Sequence, residues 1–207
     1  MQTDIHFDLC HPQPLLIVIS GPSGVGKTAV VRWMKEQQIP LHYIITATSR
    51  EPRMDECHGR DYYFYSKTEF KEKIDRGDFI EHAWVYSQYK GIPRSQLEEA
   101  FQSGKDAIIS LDVQGARTIR KLYPEALLIF LVPATKEEWL ARLQERRSET
   151  PENLKIRLDT ATQEMGDLPW FDYIVVNPQD HLEKAAGDIL SIISAEHHRV
   201  NHRQVKP

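Results

Sequence analysis

The chain has 207 residues, 41% hydrophobic and 27% charged, with 12 Pro and 10 Gly, which is the composition of an ordinary globular protein with one core and excludes a disordered or fibrous chain. A net charge of −4 provides no general basic field to hold a polynucleotide by counterion release. Cys10 and Cys57, the two cysteines, have neither metal-ligand spacing nor a disulfide framework, and the apolar runs 15–19 and 126–132 fall far below a membrane span, so a cytoplasmic location without membrane partners is expected.

Residues 1–14 lack the basic start and long apolar stretch of a signal peptide and read as a disordered arm. Residues 15–19, Leu-Leu-Ile-Val-Ile, are continuously apolar, as a central strand of a doubly covered parallel sheet must be. Ala29, Val30, Trp33 and Met34 then recur at helical spacing until Pro40. Residues 43–93 change texture, with strand-like pieces at 43–47, 62–65 and 79–86 between Gly, Pro and charged residues. One helix is clear there, 67–76, with Ser66 as N-cap, Glu69 at the capping-box position and Gly77 just past its end.

Alternation resumes with a helix over 95–102, a strand over 107–111, a helix over 116–122 and a strand over 127–132. Residues 136–147 and 152–165 are charged helices in a hairpin, 173–176 is a last strand and 182–195 a closing helix. His197 and His198 read as solvated, and residues 196–207 as a polar tail.

The most informative segment is Gly21-Pro22-Ser23-Gly24-Val25-Gly26-Lys27-Thr28, between the first strand and the first helix. Its glycines let successive backbone N–H groups converge on a phosphate at the positive end of the helix. Lys27 then neutralises β and γ oxygens of ATP, and the Thr28 hydroxyl ligates Mg²⁺. A glycine-rich turn with a merely exposed lysine is the structural alternative, and the flanking strand and helix speak against it. The loop fixes the donor nucleotide and leaves the acceptor open.

The acceptor must be read elsewhere. Arg50 and Arg53 stand three residues apart across a proline, a spacing suited to bidentate contact with a phosphate dianion. Tyr62 follows, and Glu81 ends an apolar strand, where a carboxylate can accept from the N–H edge of a guanine. Asp112 ends another buried strand, placed either to hold Mg²⁺ through water or to cap the following helix.

Together these segments resemble guanylate kinase over residues 15–195, in order and spacing, including Thr48 to Arg53, Gly59 to Phe64, Phe79 to His82, Leu111 to Gly115, Arg142 to Arg147 and Val175 to Asn177. The resemblance implies an α/β fold: a three-layer P-loop NTPase core with a parallel sheet (15–45, 94–135 and 168–198), an inserted α+β acceptor subdomain (46–93), a helical lid (136–167) and a tail (199–207). It implies phosphorylation of GMP, and of dGMP, by ATP with Mg²⁺, in a monomer or homodimer. Arg50, Arg53 and Tyr62 match the residues that hold the GMP phosphate, and Glu81 the one that reads guanine. Thr46, Lys90, Ser110 and Asp112 complete the expected GMP site. Arg142, Arg146 and Arg157 match the lid arginines that join Lys27 in catalysis, and Asn177 lies where the family approaches the adenine.

Two departures stand out. The family's Tyr-Tyr-Gly-Thr or Tyr-Tyr-Gly-Ser is Tyr89-Lys90-Gly91-Ile92 here, and its Asp-Ile-Asp is Ser110-Leu111-Asp112. The loss of a hydroxyl at Ile92 is expected to weaken base recognition. A non-catalytic protein-binding module of the same fold and a kinase for a different phosphorylated acceptor are the alternatives left open.

Overall fold

The computed structural model describes residues 13–85, 87–144, 160 and 163–206. Strand β1 (Leu16–Ser20) is buried along its length because each face meets a different helical layer. Ile17 and Ile19 pack with Val30 and Met34 of α1 (Lys27–Glu36) and with Ile189 and Ile193 of α6 (Leu182–His197). Leu16 and Val18 face Leu97 and Ala100 of α3 (Arg94–Gln102) and Ala116 and Ile119 of α4 (Val113–Leu122). A strand that is apolar at every position thus specifies the middle of three layers.

The sheet runs in the order β2 (His42–Tyr43), β7 (Ala107–Ser110), β1, β8 (Leu127–Pro133), β9 (Tyr173–Asn177), and every pairing is parallel. Ile19 lies opposite Ser110 in the β1–β7 ladder, so the loops that follow these two strands emerge side by side at one sheet edge.

A second sheet follows the order β4 (Tyr63–Phe64), β3 (Ala47–Thr48), β6 (Gln88–Pro93), β5 (Phe79–Val85). Its small core is aromatic: Phe70 of α2 (Lys67–Asp75) stacks on Phe79 at 4.4 Å and on Tyr89 at 5.4 Å. The capping box forms as expected, with Glu69 N–H donating to Ser66 Oγ and Ser66 N–H to Glu69 Oε2.

Several expectations need correction. The run 43–47 is not one strand: Tyr43 pairs in the parallel sheet and Ala47 in the second one, because Ile44 is drawn into the main core and Ala47 into the aromatic one. Strand β6 escapes a propensity reading because Gly91 and Pro93 look like breakers. A Cβ on Gly91 would lie 2.9 Å from the Glu81 carbonyl, so this glycine marks the close approach of two strands and not a turn. Ile92 is fully buried in the main core beside Leu97 and Ile44, so its side chain does not face the candidate site. Residues 1–12 of the expected arm 1–14, Tyr86 and most of the expected helical hairpin lie outside the described residues.

The chain's end is docked, not free. Arg203 reaches Glu196 Oε2 at 2.6 Å and the Ala126 carbonyl at 3.3 Å, while the Tyr173 hydroxyl donates to Glu196 Oε1. His197 Nε2 lies 2.7 Å from Asp106 Oδ2, and Asp106 Oδ1 accepts from Leu15 N–H where β1 begins. Glu196 is 2% exposed and is also reached by Arg199 at 3.1 Å, so removing Arg203 leaves a buried charge without its shorter guanidinium contact. Replacing Arg203 with Met, which keeps most of the side-chain volume, is expected to cost about 2–4 kcal/mol in urea unfolding.

Candidate active site

The loop 21–26 is shaped by two glycines that no other residue can replace. Gly21 has φ 137°, and a Cβ there would sit 2.3 Å from the Leu131 carbonyl oxygen; Gly26 has φ 97°, and its Cβ would meet Asn177 Nδ2 at 2.4 Å. The N-cap of α1, Gly26, offers no side-chain cap, in contrast to the Ser66 and Asp112 caps of α2 and α4. A phosphate held by the loop would face the positive end of this helix. Lys27 folds back along the loop, donating to the carbonyls of Gly21 (2.5 Å) and Pro22 (3.1 Å).

The loop is braced from outside. Asn177 Nδ2 donates to the Val25 carbonyl at 2.7 Å, Arg142 donates to the same carbonyl and to that of Asn177, and Trp139 Nε1 donates to the Ser23 carbonyl at 2.8 Å. Trp139 and Arg142 belong to α5 (Lys136–Gln144), which lies against the loop. Asn177, 2% exposed, is a support for the loop's backbone and does not line the cavity; Arg142 is likewise spent on backbone carbonyls. Arg146 and Arg157 lie outside the described residues.

Across the cleft, Arg50 makes a two-pronged contact with Glu56, at 2.6 and 2.7 Å, and its guanidinium lies over the Tyr62 ring at 5.1 Å. Glu56 also accepts from the backbone N–H of Arg53 and lies 3.6 Å from its guanidinium. Burial alone would raise the Glu56 carboxyl, but these donors outweigh it and hold it below the usual range. Glu56 is therefore the buried acid that sets the two arginines. Sequence reasoning passed it over, although an acid three residues after Arg53 was the available signal.

The floor carries Glu81, Lys90 and Asp112. Asp112 Oδ1 accepts from Gly115 N–H as the α4 N-cap and Oδ2 meets Lys90 Nζ at 3.1 Å, so both oxygens are engaged. Burial pushes the Glu81 carboxyl up to about 7, with repulsion from Asp112 adding and Lys90 opposing. Lys90 thus stands with the floor carboxylates and not with the arginine pair.

These parts share one cavity of about 560 Å³. Ser23, Gly24, Gly26, Lys27 and Thr28 line one wall; Thr46, Arg50, Arg53, Tyr62, Glu81, Lys90, Ser110 and Asp112 line the rest. Gly21, Pro22 and Val25 turn into the protein. The two walls touch, with Thr28 Oγ1 3.3 Å from the Tyr62 hydroxyl. Glu164, which no sequence pattern singled out, also borders the cavity.

A phosphate loop at the end of a parallel strand, facing a pair of oriented arginines, defines the class of P-loop phosphotransferases. The chain matches the Guanylate kinase family over residues 13–196, and it belongs to that family. It is 44% identical over 195 residues to guanylate kinase 2, chloroplastic/mitochondrial, of Oryza sativa subsp. japonica, covering 94% of this chain and 68% of that protein. It is 42% identical to a guanylate kinase of Clostridium tetani, covering 90% and 88%. The crystal structure of guanylate kinase from Anaplasma phagocytophilum superposes with a TM-score of 0.74 at 28% identity, covering 92% of this chain and 89% of that one.

The floor gives a direct test. Asp112→Asn removes the repulsion on Glu81 and frees Lys90 for it, so the Glu81 midpoint, read by side-chain ¹³C NMR, is expected to fall by about one pH unit.

Proposed function

We propose that this chain transfers the γ-phosphoryl group of ATP to GMP, and to dGMP, releasing ADP and the diphosphate. The observation that carries the reading is the contact between the walls: the end of the phosphate loop, Thr28, meets Tyr62 of the arginine wall in a single cavity. Two phosphate sites so joined suit direct transfer between two bound nucleotides, with no covalent enzyme intermediate.

In this reading the loop N–H groups and Lys27 hold the donor phosphates, and Arg50, Arg53 and Tyr62 hold the acceptor phosphate. Glu56 orients the arginines before GMP arrives, so less order is lost on binding. Glu81 accepts from the guanine N1–H and N2–H₂ groups, and Thr46 and Ser110 offer hydroxyls to the base. An acceptor phosphate oxygen attacks the γ-phosphorus as the bond to the β–γ bridging oxygen breaks, and the electron pair leaves with ADP. Charge on the transferring group is met by Lys27 and, on lid closure, by Arg146 and Arg157. Arg142 shares in this by fixing the loop from behind.

Among the described residues no group of three or more His, Cys, Asp or Glu could hold a metal ion. The Thr28 hydroxyl and Asp112 line the cavity, and an Mg²⁺ arriving with ATP would be held by Thr28 directly and by Asp112 through water. When bound, the ion supplies charge neutralisation between the β and γ phosphates. No helix among the described residues is long and apolar enough to cross a membrane. A cytoplasmic enzyme, monomeric or homodimeric, accords with this reading.

Two measurements test it. In a coupled assay of ADP release, Arg50→Ala is expected to raise KM for GMP by about 10–100-fold, the loss of a charge-assisted pair, and to leave KM for ATP nearly unchanged. An unchanged KM for GMP would put the acceptor phosphate elsewhere. Guanine binds the ionised form of Glu81, whose carboxyl titrates at about 7 in the free protein. KM for GMP should therefore fall as pH rises from 6 to 8, by up to ~10-fold for one such group, and Glu81→Gln should abolish that part of the profile.

A further inference from the structure

Glu164 is a carboxylate that lines the cavity with the phosphate loop and that the proposed mechanism does not use. It belongs to the segment that precedes β9, and it lines the cavity together with Lys27. Ser23 and Lys27 of the loop line the same cavity, and the Lys27 ammonium is the strongest favourable charge acting on its carboxylate. Burial pushes the Glu164 carboxyl above its ordinary value, Lys27 and the backbone of Ser23 oppose this, and Asp112 adds to it.

The segment is fastened from behind. Arg117 of α4 pairs with Asp167 and lies over the Trp170 ring at 5.6 Å, and a smaller pocket of about 320 Å³ separates α4 from Gln163 and Glu164. Glu164 is thereby carried to the loop by a braced element.

A carboxylate can settle in such a place as a structural ion pair, but the protein's structural acids are satisfied differently. Glu56 uses both oxygens, on Arg50 and on the Arg53 N–H. Glu196 also uses both, on Tyr173 and Arg203. Glu164 leaves Oε2 buried and without a hydrogen-bond partner among the described residues. Such a group is held less firmly than a paired one, and is the easier to displace. The loop backbone and the loop lysine that share its cavity are of the kind that serve a phosphate oxygen.

We infer that Glu164 occupies part of the donor-phosphate seat in the nucleotide-free protein and is displaced by ATP. The inference rests on the reading of residues 21–28 as the ATP phosphate site. It makes Glu164 a competitor of the nucleotide: a carboxylate on the loop lowers the fraction of molecules ready to bind, and apparent affinity falls by the same factor.

The test is calorimetric titration of the full chain with ATP and Mg²⁺, and separately with inorganic tripolyphosphate, in the absence of GMP. Glu164→Gln is expected to tighten both ligands by about 5–10-fold, since the competing charge is lost while the shape remains. Glu164→Ala, which also removes the side-chain oxygens, should act in the same direction and serves if the Gln variant fails to fold. Unchanged or weaker binding of ATP by the folded variants overturns the inference. Failure of wild-type protein to bind ATP at all would instead overturn the reading of the loop, and absence of GMP phosphorylation would leave these titrations interpretable.

Discussion

A loop that points its N–H groups at a ligand must turn its carbonyls the other way, and those carbonyls need donors. Here every other element of the donor side is arranged to supply them. The Val25 carbonyl receives Asn177 and Arg142, the Ser23 carbonyl receives Trp139, and the carbonyls of Gly21 and Pro22 receive Lys27. Buried polar groups left unpaired cost on the order of 1–3 kcal/mol each. This one requirement therefore explains why α5 lies against the loop, why β9 ends in a buried asparagine, and why Gly26 has no side chain to collide with it. The parallel sheet matters chiefly because β9, at its edge, delivers Asn177 to that place.

The acceptor wall solves an opposite problem. Two guanidinium groups aimed at one phosphate repel each other until the phosphate arrives. Glu56 relieves this by accepting from Arg50 with both oxygens and from the Arg53 backbone. The same contact lays Arg50 against Tyr62 and Phe64, at 5.1 and 5.4 Å, and so ties the loop 50–56 to β4. Preorganisation of this kind places the ordering cost in folding, where the aromatic core of the second sheet can offset it.

How much of this was legible in the sequence follows from what each feature depends on. The phosphate loop, the capped helix α2 and the doubly buried strands are local patterns, and they stand where the residues put them. The arginine pair, Tyr62, Glu81 and Asp112 could be named because their residue types stand in the order and at the spacings of the guanylate kinase pattern. The split of 43–47 between two sheets could not be read, since nothing local says that Ile44 and Ala47 belong to different cores. Nor could the work of Asn177 and Arg142, whose partners are backbone carbonyls far away in the chain and carry no side-chain signature. The docked C-terminus was hidden for a similar reason: Arg203 and Glu196 look like solvated charges until Asp172, Tyr173 and Ala126 are brought beside them.

The departures at Lys90 and Ile92 take on a different meaning in three dimensions. Ile92 fills the main core, and the cavity wall next to it is formed by Lys90 and Gly91. The residue therefore adds apolar burial where the two sheets join, and the base would be read without it. Lys90 stands between Asp112, which it contacts, and Glu81, which it influences at longer range. One ammonium thus serves two carboxylates, and Asp112, with a second donor from Gly115, has the better share. Among the described residues Glu81 is left short of donors in a half-buried position, which is why its carboxyl holds a proton so readily. A guanine edge supplies two N–H donors to one carboxylate, and with both in place the ionised form would be the satisfied one. In the proposed reading, discrimination for the base then arises from the incompleteness of the floor: a ligand that offers acceptors where guanine offers donors would cover Glu81 and leave it unpaired.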